Sequence, residues 1–366
     1  MRMASVRGYL LSWTTLLPLV ALVLLALTWG RTLGPVPVAL VAIALAGTVL
    51  AAVHHAEVVA HRVGEPYGSL VLAVAVTVIE VALIVTMMAS GGDKAETLAR
   101  DTVFAAVMIT TNGIVGLSLL VGARRYGETR FHPEGSGAAL ATVGTLATLS
   151  LVLPTFTAST PGPAFSGPQL AFAAGASLVL YATFVMTQTV RHRDFFLPVD
   201  HDGETREEEH AEPPSAQKTL VSLVLLLIAL VTVVGLAKVE SPAIEAGVRA
   251  AGLPQSFVGV VIALLILAPE TLAAVRAARR DRMQISLNLA YGSAIASIGL
   301  TIPVIALASV WLKGPLLLGL GPTHIVLLAL TVVVSVLTVV PGRATRLQGG
   351  VHLVLLAGFL VLAMNP

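Results

Sequence analysis

The chain has no cysteine, which rules out disulfides, thiolate metal centres and thiol nucleophiles. It is also poor in charge. Asp, Glu, Lys and Arg make up 11% of its 366 residues, where a soluble domain carries about 25%. That excludes an ordinary water-soluble globular fold. The 22 Lys and Arg form no dense patch, so no nucleic-acid partner is expected. "HHAEVVAHR" (His54–Arg62) comes nearest to a zinc-protease helix, but Ala56 separates His55 from Glu57 and the H-E-x-x-H spacing fails. His54, Glu57 and His61 share a helix face and are read as interfacial polar residues, with a metal or pH-sensing site as the alternative. No cofactor is expected.

Apolar residues are abundant, at 56% of the chain. They fall in recurring runs of about 20, each long enough to cross a bilayer as a helix. The runs are continuous rather than alternating, which excludes a transmembrane β-barrel. The sequence therefore predicts an all-α polytopic membrane protein of about 11 helices, at 9–30, 34–60, 66–90, 100–122, 135–156, 168–190, 218–237, 254–275, 283–311, 319–340 and 346–364. Tyr9–Gly30 is longer than a signal h-region and lacks a small-residue cleavage site, so it is expected to be a first helix. The lipid bilayer is an expected partner, and a homo-oligomer is compatible with the sequence.

Placing the N-terminus in the cytoplasm puts 16 of the 22 basic residues in inside segments, a strong positive-inside bias. An odd helix count then puts the C-terminus outside. The expected site is a bacterial inner membrane. One polar, acidic stretch, "RHRDFFLPVDHDGETREEEHAEPPSAQK" (Arg191–Lys218), interrupts the apolar pattern and reads as a cytoplasmic linker. The expected organisation is an N-terminal helix (1–33), five helices (34–190), the acidic linker (191–217) and five more helices (218–366).

Of the 20 Asp and Glu, 18 lie in loops or near predicted span ends. Glu80, in "GSLVLAVAVTVIEVALIVTMMAS", and Glu270, in "LLILAPETLAAV", lie inside apolar spans with no mid-span Lys or Arg to pair with. An ionised carboxylate at mid-bilayer costs about 2.5–3.5 kcal/mol on insertion scales, and such groups are functional by default. Two facing carboxyls titrate as a coupled pair, able to hold protons or, having lost them, a cation. Competition for one site is the minimum chemistry of a cation/proton exchanger. A passive cation channel is the alternative. An intramembrane enzyme is less favoured: there is no intramembrane Asp pair, and the mid-chain histidines that could partner Ser293 in a serine protease read as loop residues.

The two five-helix halves are alike. In each, the second helix carries the glutamate, and a Gly-x-Pro precedes it, starting at Gly64 and Gly252. Five is odd, so the halves run in opposite directions across the membrane, an inverted repeat of the kind that places a binding site near the midplane. Pro269 can free a backbone carbonyl on the preceding turn. Further oxygens come from Thr77, three residues before Glu80, from Thr110, Thr111 and Asn112 on the fourth helix, and from Ser293 and Ser297 on the ninth. Each can equally be helix–helix glue. Ala290, Gly292, Ala294 and Gly299 read as close-packing positions.

"GEPYGSLVLAVAVTVIEVALI" and "LILAPETLAAVRAARRDRMQISLNLAYGSAIASIGLTIPVIA" resemble the calcium/cation antiporter superfamily, in its cation/proton exchanger branch, and bacterial members that exchange sodium, potassium or calcium for protons. The resemblance implies a first helix, two inverted five-helix repeats joined by an acidic segment, and Glu80 and Glu270 carrying cation and protons in turn. It implies that the helices around Asn112 and Ser293 line the site, and that the transported species are Ca2+ or Na+/K+ and protons. Plant and fungal members carry Gly-Asn before each glutamate; Thr77 and Leu267 stand at the asparagine positions here, Thr271 replaces a common His, and Ala296 a common Gln.

Overall fold

A computed structural model describes residues 12–64, 67–89, 95–199, 213–311 and 314–365. The start of the first predicted span, Glu65 and Pro66 of the first Gly-x-Pro, linker residues 200–212, and Arg2, Arg7, Lys94, Arg206 and Lys313 of the charge count lie outside the described residues.

Every predicted span is a helix. They are α1 (Trp13–Thr28), α2 (Pro35–Val63), α3 (Tyr67–Ala89), α4 (Glu96–Tyr126), α5 (Pro133–Phe156), α6 (Gly167–Arg191), α7 (Ala216–Ala250), α8 (Phe257–Ala278), α9 (Met283–Ala308), α10 (Pro322–Val339) and α11 (Arg346–Met364). The ends follow local chemistry. Proline opens α2, α5 and α10, where its missing N–H goes unneeded. Ser166 with Gln169, and Thr345 with Gln348, form capping boxes at the starts of α6 and α11. Gly64 and Gly127 close α2 and α4 with φ of 75° and 85°, a conformation glycine adopts without a Cβ clash. One helix outruns its prediction: α7 continues through Pro242 for 35 residues instead of stopping at 237.

The helices form two compact units that do not follow chain order. The first holds α1, α2, α3 and α7. Helix α2 packs against the other three, and α7 against α1 and α3. Small residues set these contacts: a Cβ on Gly47 of α2 would run into Leu17, and one on Gly235 of α7 into Leu25. His55 is fully buried. Its Nε2–H donates to the Thr14 carbonyl (2.9 Å), and its Nδ1 lies 3.3 Å from the Ser222 hydroxyl, tying α2 to α1 and α7. Arg62 donates to the Pro214 carbonyl at 3.2 Å, which brings the chain just before α3 level with the start of α7.

The second unit holds the other seven helices. Helix α4 is its axis: 89% of its most apolar stretch is buried, against α8, α9 and α11. A Cβ built on Gly259 of α8 would lie 2.8 Å from the Thr102 amide nitrogen, so α4 and α8 cross at backbone contact. Gly299 meets the Tyr181 Cβ at 3.0 Å in the same way, whereas Gly292 faces open space rather than a packed neighbour. A two-stranded ribbon, β1 (Thr129–Arg130) with β2 (Arg343–Ala344), pairs antiparallel and joins the loops before α5 and α11. Fully buried Gln284 braces the same end. Its Oε1 accepts from the His132 amide at 2.7 Å, and its Nε2 donates to Asn288 at 2.9 Å.

Candidate cation site

Glu80 sits mid-helix on α3, 4% exposed, and Thr77 lies one turn before it, 5% exposed. Three residues apart, the two share a helix face. Both belong to the first unit. Glu270, 8% exposed, lies on α8 in the second unit, directly after Pro269. The proline does not break α8, which stays helical from Phe257 to Ala278. It withholds one N–H, so the Leu265 carbonyl, four residues back, loses its intrahelical donor. Thr271 is committed to the backbone, its hydroxyl donating to the Leu267 carbonyl at 2.7 Å.

The fourth-helix candidates lie in a π-helical turn, Ile109–Ile114, where the 3.6-residue repeat is broken and all six residues are buried. Thr110 and Thr111 donate to carbonyls one turn back, at Ala106 (2.8 Å) and Val107 (2.6 Å). Asn112 is held at both ends of its amide. Its Nδ2 donates to the Thr331 hydroxyl of α10 at 3.0 Å, and its Oδ1 accepts from His352 Nδ1 of α11 at 3.1 Å. His352 Nε2 in turn lies 3.1 Å from the Thr338 hydroxyl. The structure thus gathers Asn112 with Thr331 and His352 into a buried polar knot that fixes α4 to the last two helices.

On α9, Ser293 is half-buried and Ser297 is 2% exposed. Thr301, four residues further on, is fully buried, and its hydroxyl has no hydrogen-bond partner among the described residues. Ser293, Ser297 and Thr301 make a ladder of hydroxyls along one helix face, about 12 Å long at 1.5 Å per residue. The i, i+4, i+8 spacing was available in the sequence as the signal for Thr301.

One buried titratable residue corrects the sequence reading. Glu240 is a third glutamate inside an apolar helix, 5% exposed, because α7 runs on past its predicted end at 237. His352, inside the last predicted span, is fully buried on α11. Toward the C-terminal end of α2, His54 is half-buried while Glu57 and His61 are exposed. Among the described residues, no three His, Asp or Glu side chains gather closely enough to hold a metal ion by themselves. A cation bound along these helices would draw much of its coordination from hydroxyls, backbone carbonyls or water, the hard oxygen ligands that Ca2+ and alkali ions accept.

The pattern of the sodium/calcium exchanger protein family matches residues 33–190 and 221–365. The y4hA protein of Sinorhizobium fredii is 46% identical over 361 residues, covering 97% of this chain and 96% of that one. The sodium-potassium/proton antiporter ChaA of Escherichia coli is 37% identical over 349 residues, covering 94% of each chain. Among solved structures, the H+/Ca2+ exchanger CAX superposes with a TM-score of 0.70 over 97% of this chain and 88% of that one, at 16% identity, which speaks for the fold alone. The family's members are ion exchangers rather than enzymes. With multi-pass helices, buried carboxylates and matches along nearly its whole length, the chain belongs to the sodium/calcium exchanger protein family.

Proposed function

We propose that the chain is a secondary antiporter that exports Ca2+ and/or Na+ (K+) from the cytoplasm in exchange for protons by alternating access. The observation that carries this reading is a glutamate buried on the second helix of each five-helix half: Glu80 at 4% and Glu270 at 8% exposure. Each follows a Gly-x-Pro at the start of its helix region. Deprotonated, these carboxylates take a cation from the cytoplasm; the five-helix repeats 34–190 and 218–366 rearrange; protonation from outside releases the ion. Cation and protons compete because either one neutralises the same buried charge. Thr77, Ser293 and Ser297 supply further oxygens, and Asn112, tied to Thr331 and His352, fixes α4 to the last two helices. The N-terminus is cytoplasmic and the C-terminus outside, in a bacterial inner membrane.

The test uses everted membrane vesicles carrying an imposed pH gradient. Addition of Na+, K+ or Ca2+ should dissipate the gradient through the wild type and not through Glu80→Gln or Glu270→Gln. Normal exchange by both variants would defeat the reading. Cation flux without proton counterflow would make the protein a channel.

A further inference from the structure

The mechanism above leaves one buried carboxylate unused. Glu240 is 5% exposed on α7, and its Oε2 makes no hydrogen bond among the described residues. A buried acceptor left unsatisfied costs about 1–3 kcal/mol, and more when charged. A structural role would pair it. Its neighbours show that partners of the right chemistry are taken up elsewhere. Ser241 donates its hydroxyl to Glu245 at 3.3 Å. Lys238, two residues before, is exposed and holds its ammonium 5.3 Å from the Trp29 ring. Arg31 and Arg249 are exposed. The stretches of the packed helices at this end, 13–28 of α1, 35–52 of α2 and 81–89 of α3, contain no ionisable side chain.

Depth follows from helix geometry. Helices α3 and α7 start from the same side, with Arg62 and Pro214 in hydrogen-bond contact. Glu80 lies 13 residues into α3 and Glu240 lies 24 residues into α7, which at 1.5 Å per residue puts Glu240 about 16 Å further from the cytoplasmic side. Trp29 and Lys238 mark the outer interface, where aromatic and basic side chains concentrate. Glu240 is therefore a protein-buried carboxyl at the depth where the outer aqueous phase begins, in the same compact unit as Glu80.

We propose that Glu240 is a proton-binding station on the outer side of the exchanger, taking protons from the outer phase ahead of Glu80. The proposal rests on the antiport reading. A carboxyl without a fixed partner can gain and lose a proton without breaking a structural bond, which a relay requires. The transfer balances simply: an outer hydronium gives its proton to the Glu240 carboxylate, and that proton passes inward through water to the Glu80 carboxylate.

Everted vesicles carrying the full chain provide the test, because their lumen is the outer side. Uptake of radiolabelled Ca2+ or Na+ is measured over a series of luminal pH values at fixed medium pH. Glu240→Gln should need a lumen about one pH unit more acidic than wild type to reach half-maximal uptake, the span of an ordinary carboxyl's environmental shift. Its half-saturating cation concentration on the medium side should stay at the wild-type value. Glu240→Asp should move the luminal curve back toward wild type. A Glu240→Gln curve that superimposes on wild type overturns the proposal. So does a parallel loss of cation affinity and of thermal stability in detergent, which would make Glu240 a packing residue. If wild type itself takes up no cation against protons, the antiport reading fails; wild-type antiport with an insensitive Glu240→Gln sinks this proposal alone.

Discussion

At the scale of single residues, the buried polar groups divide by whether the protein has already given them partners. Asn112 is fully engaged. Its amide reaches Thr331 and His352, and His352 reaches Thr338, so four side chains on three helices hold one another. Truncating one member removes a hydrogen-bond partner from its neighbours. His352→Ala should leave the Asn112 oxygen and the Thr338 hydroxyl facing a void and cost about 1–2 kcal/mol, within the range for a buried unsatisfied group and for interhelical hydrogen bonds in membranes. The measurement is thermal unfolding in detergent, run as a double-mutant cycle with Asn112→Ala. Coupling between the two substitutions is the expected result; strictly additive losses would show that the contact carries no energy. Glu80 and Glu270 matter for their charge. They are buried where charge is costly, and one in each half repeats the same placement. Among the described residues no cluster of three His, Asp or Glu side chains could replace them, so on the proposed reading neutralising either is expected to abolish exchange.

At the scale of helices, hydrophobic runs alone marked all eleven elements, because a bilayer-spanning helix announces itself by length and continuity. Other features depend on contacts between helices and were not legible. The π turn at Ile109–Ile114 is stabilised by Asn112 reaching across to α10 and α11, and no local rule marks a π turn in "ITTNGI". The apolar run that marked α7 ends at Lys238, so the helix's continuation through Pro242, and Glu240 with it, was not legible; neighbouring helices let a proline stay within the helix. Pro269 behaves in the same way, unbroken inside α8. That makes a sharp test of the carbonyl it frees. Proline costs about 3 kcal/mol against alanine in a helix interior, so on propensity alone Pro269→Ala should raise the unfolding temperature. If the Leu265 carbonyl also contacts the passing ion, restoring its intrahelical bond should slow exchange roughly tenfold, the equivalent of about 1.4 kcal/mol. Faster unfolding would contradict the propensity argument, and undiminished exchange would remove the carbonyl from the ion path.

At the scale of the whole molecule, the proposed exchange direction depends on topology, and the proposed topology rests on two expectations that can fail separately. One is the helix count, whose odd value sends the termini to opposite sides. The other is the basic-residue bias, which chooses the inner side. The absence of cysteine makes both open to direct measurement, since any introduced cysteine is the chain's only thiol. Ser159 between α5 and α6, Gln217 at the start of α7, and Asn365 after α11 are all exposed. In spheroplasts, a membrane-impermeant maleimide should label Ser159→Cys and Asn365→Cys, and should label Gln217→Cys only after the membranes are everted. A complete reversal of that pattern would keep the helix count and invert the exchanger, so that protons would be drawn from the cytoplasm. Labelling of Ser159→Cys and Asn365→Cys from opposite sides would instead break the even count of six helices over α6–α11, and with it the inverted relation between the halves on which the proposed pairing of Glu80 with Glu270 rests.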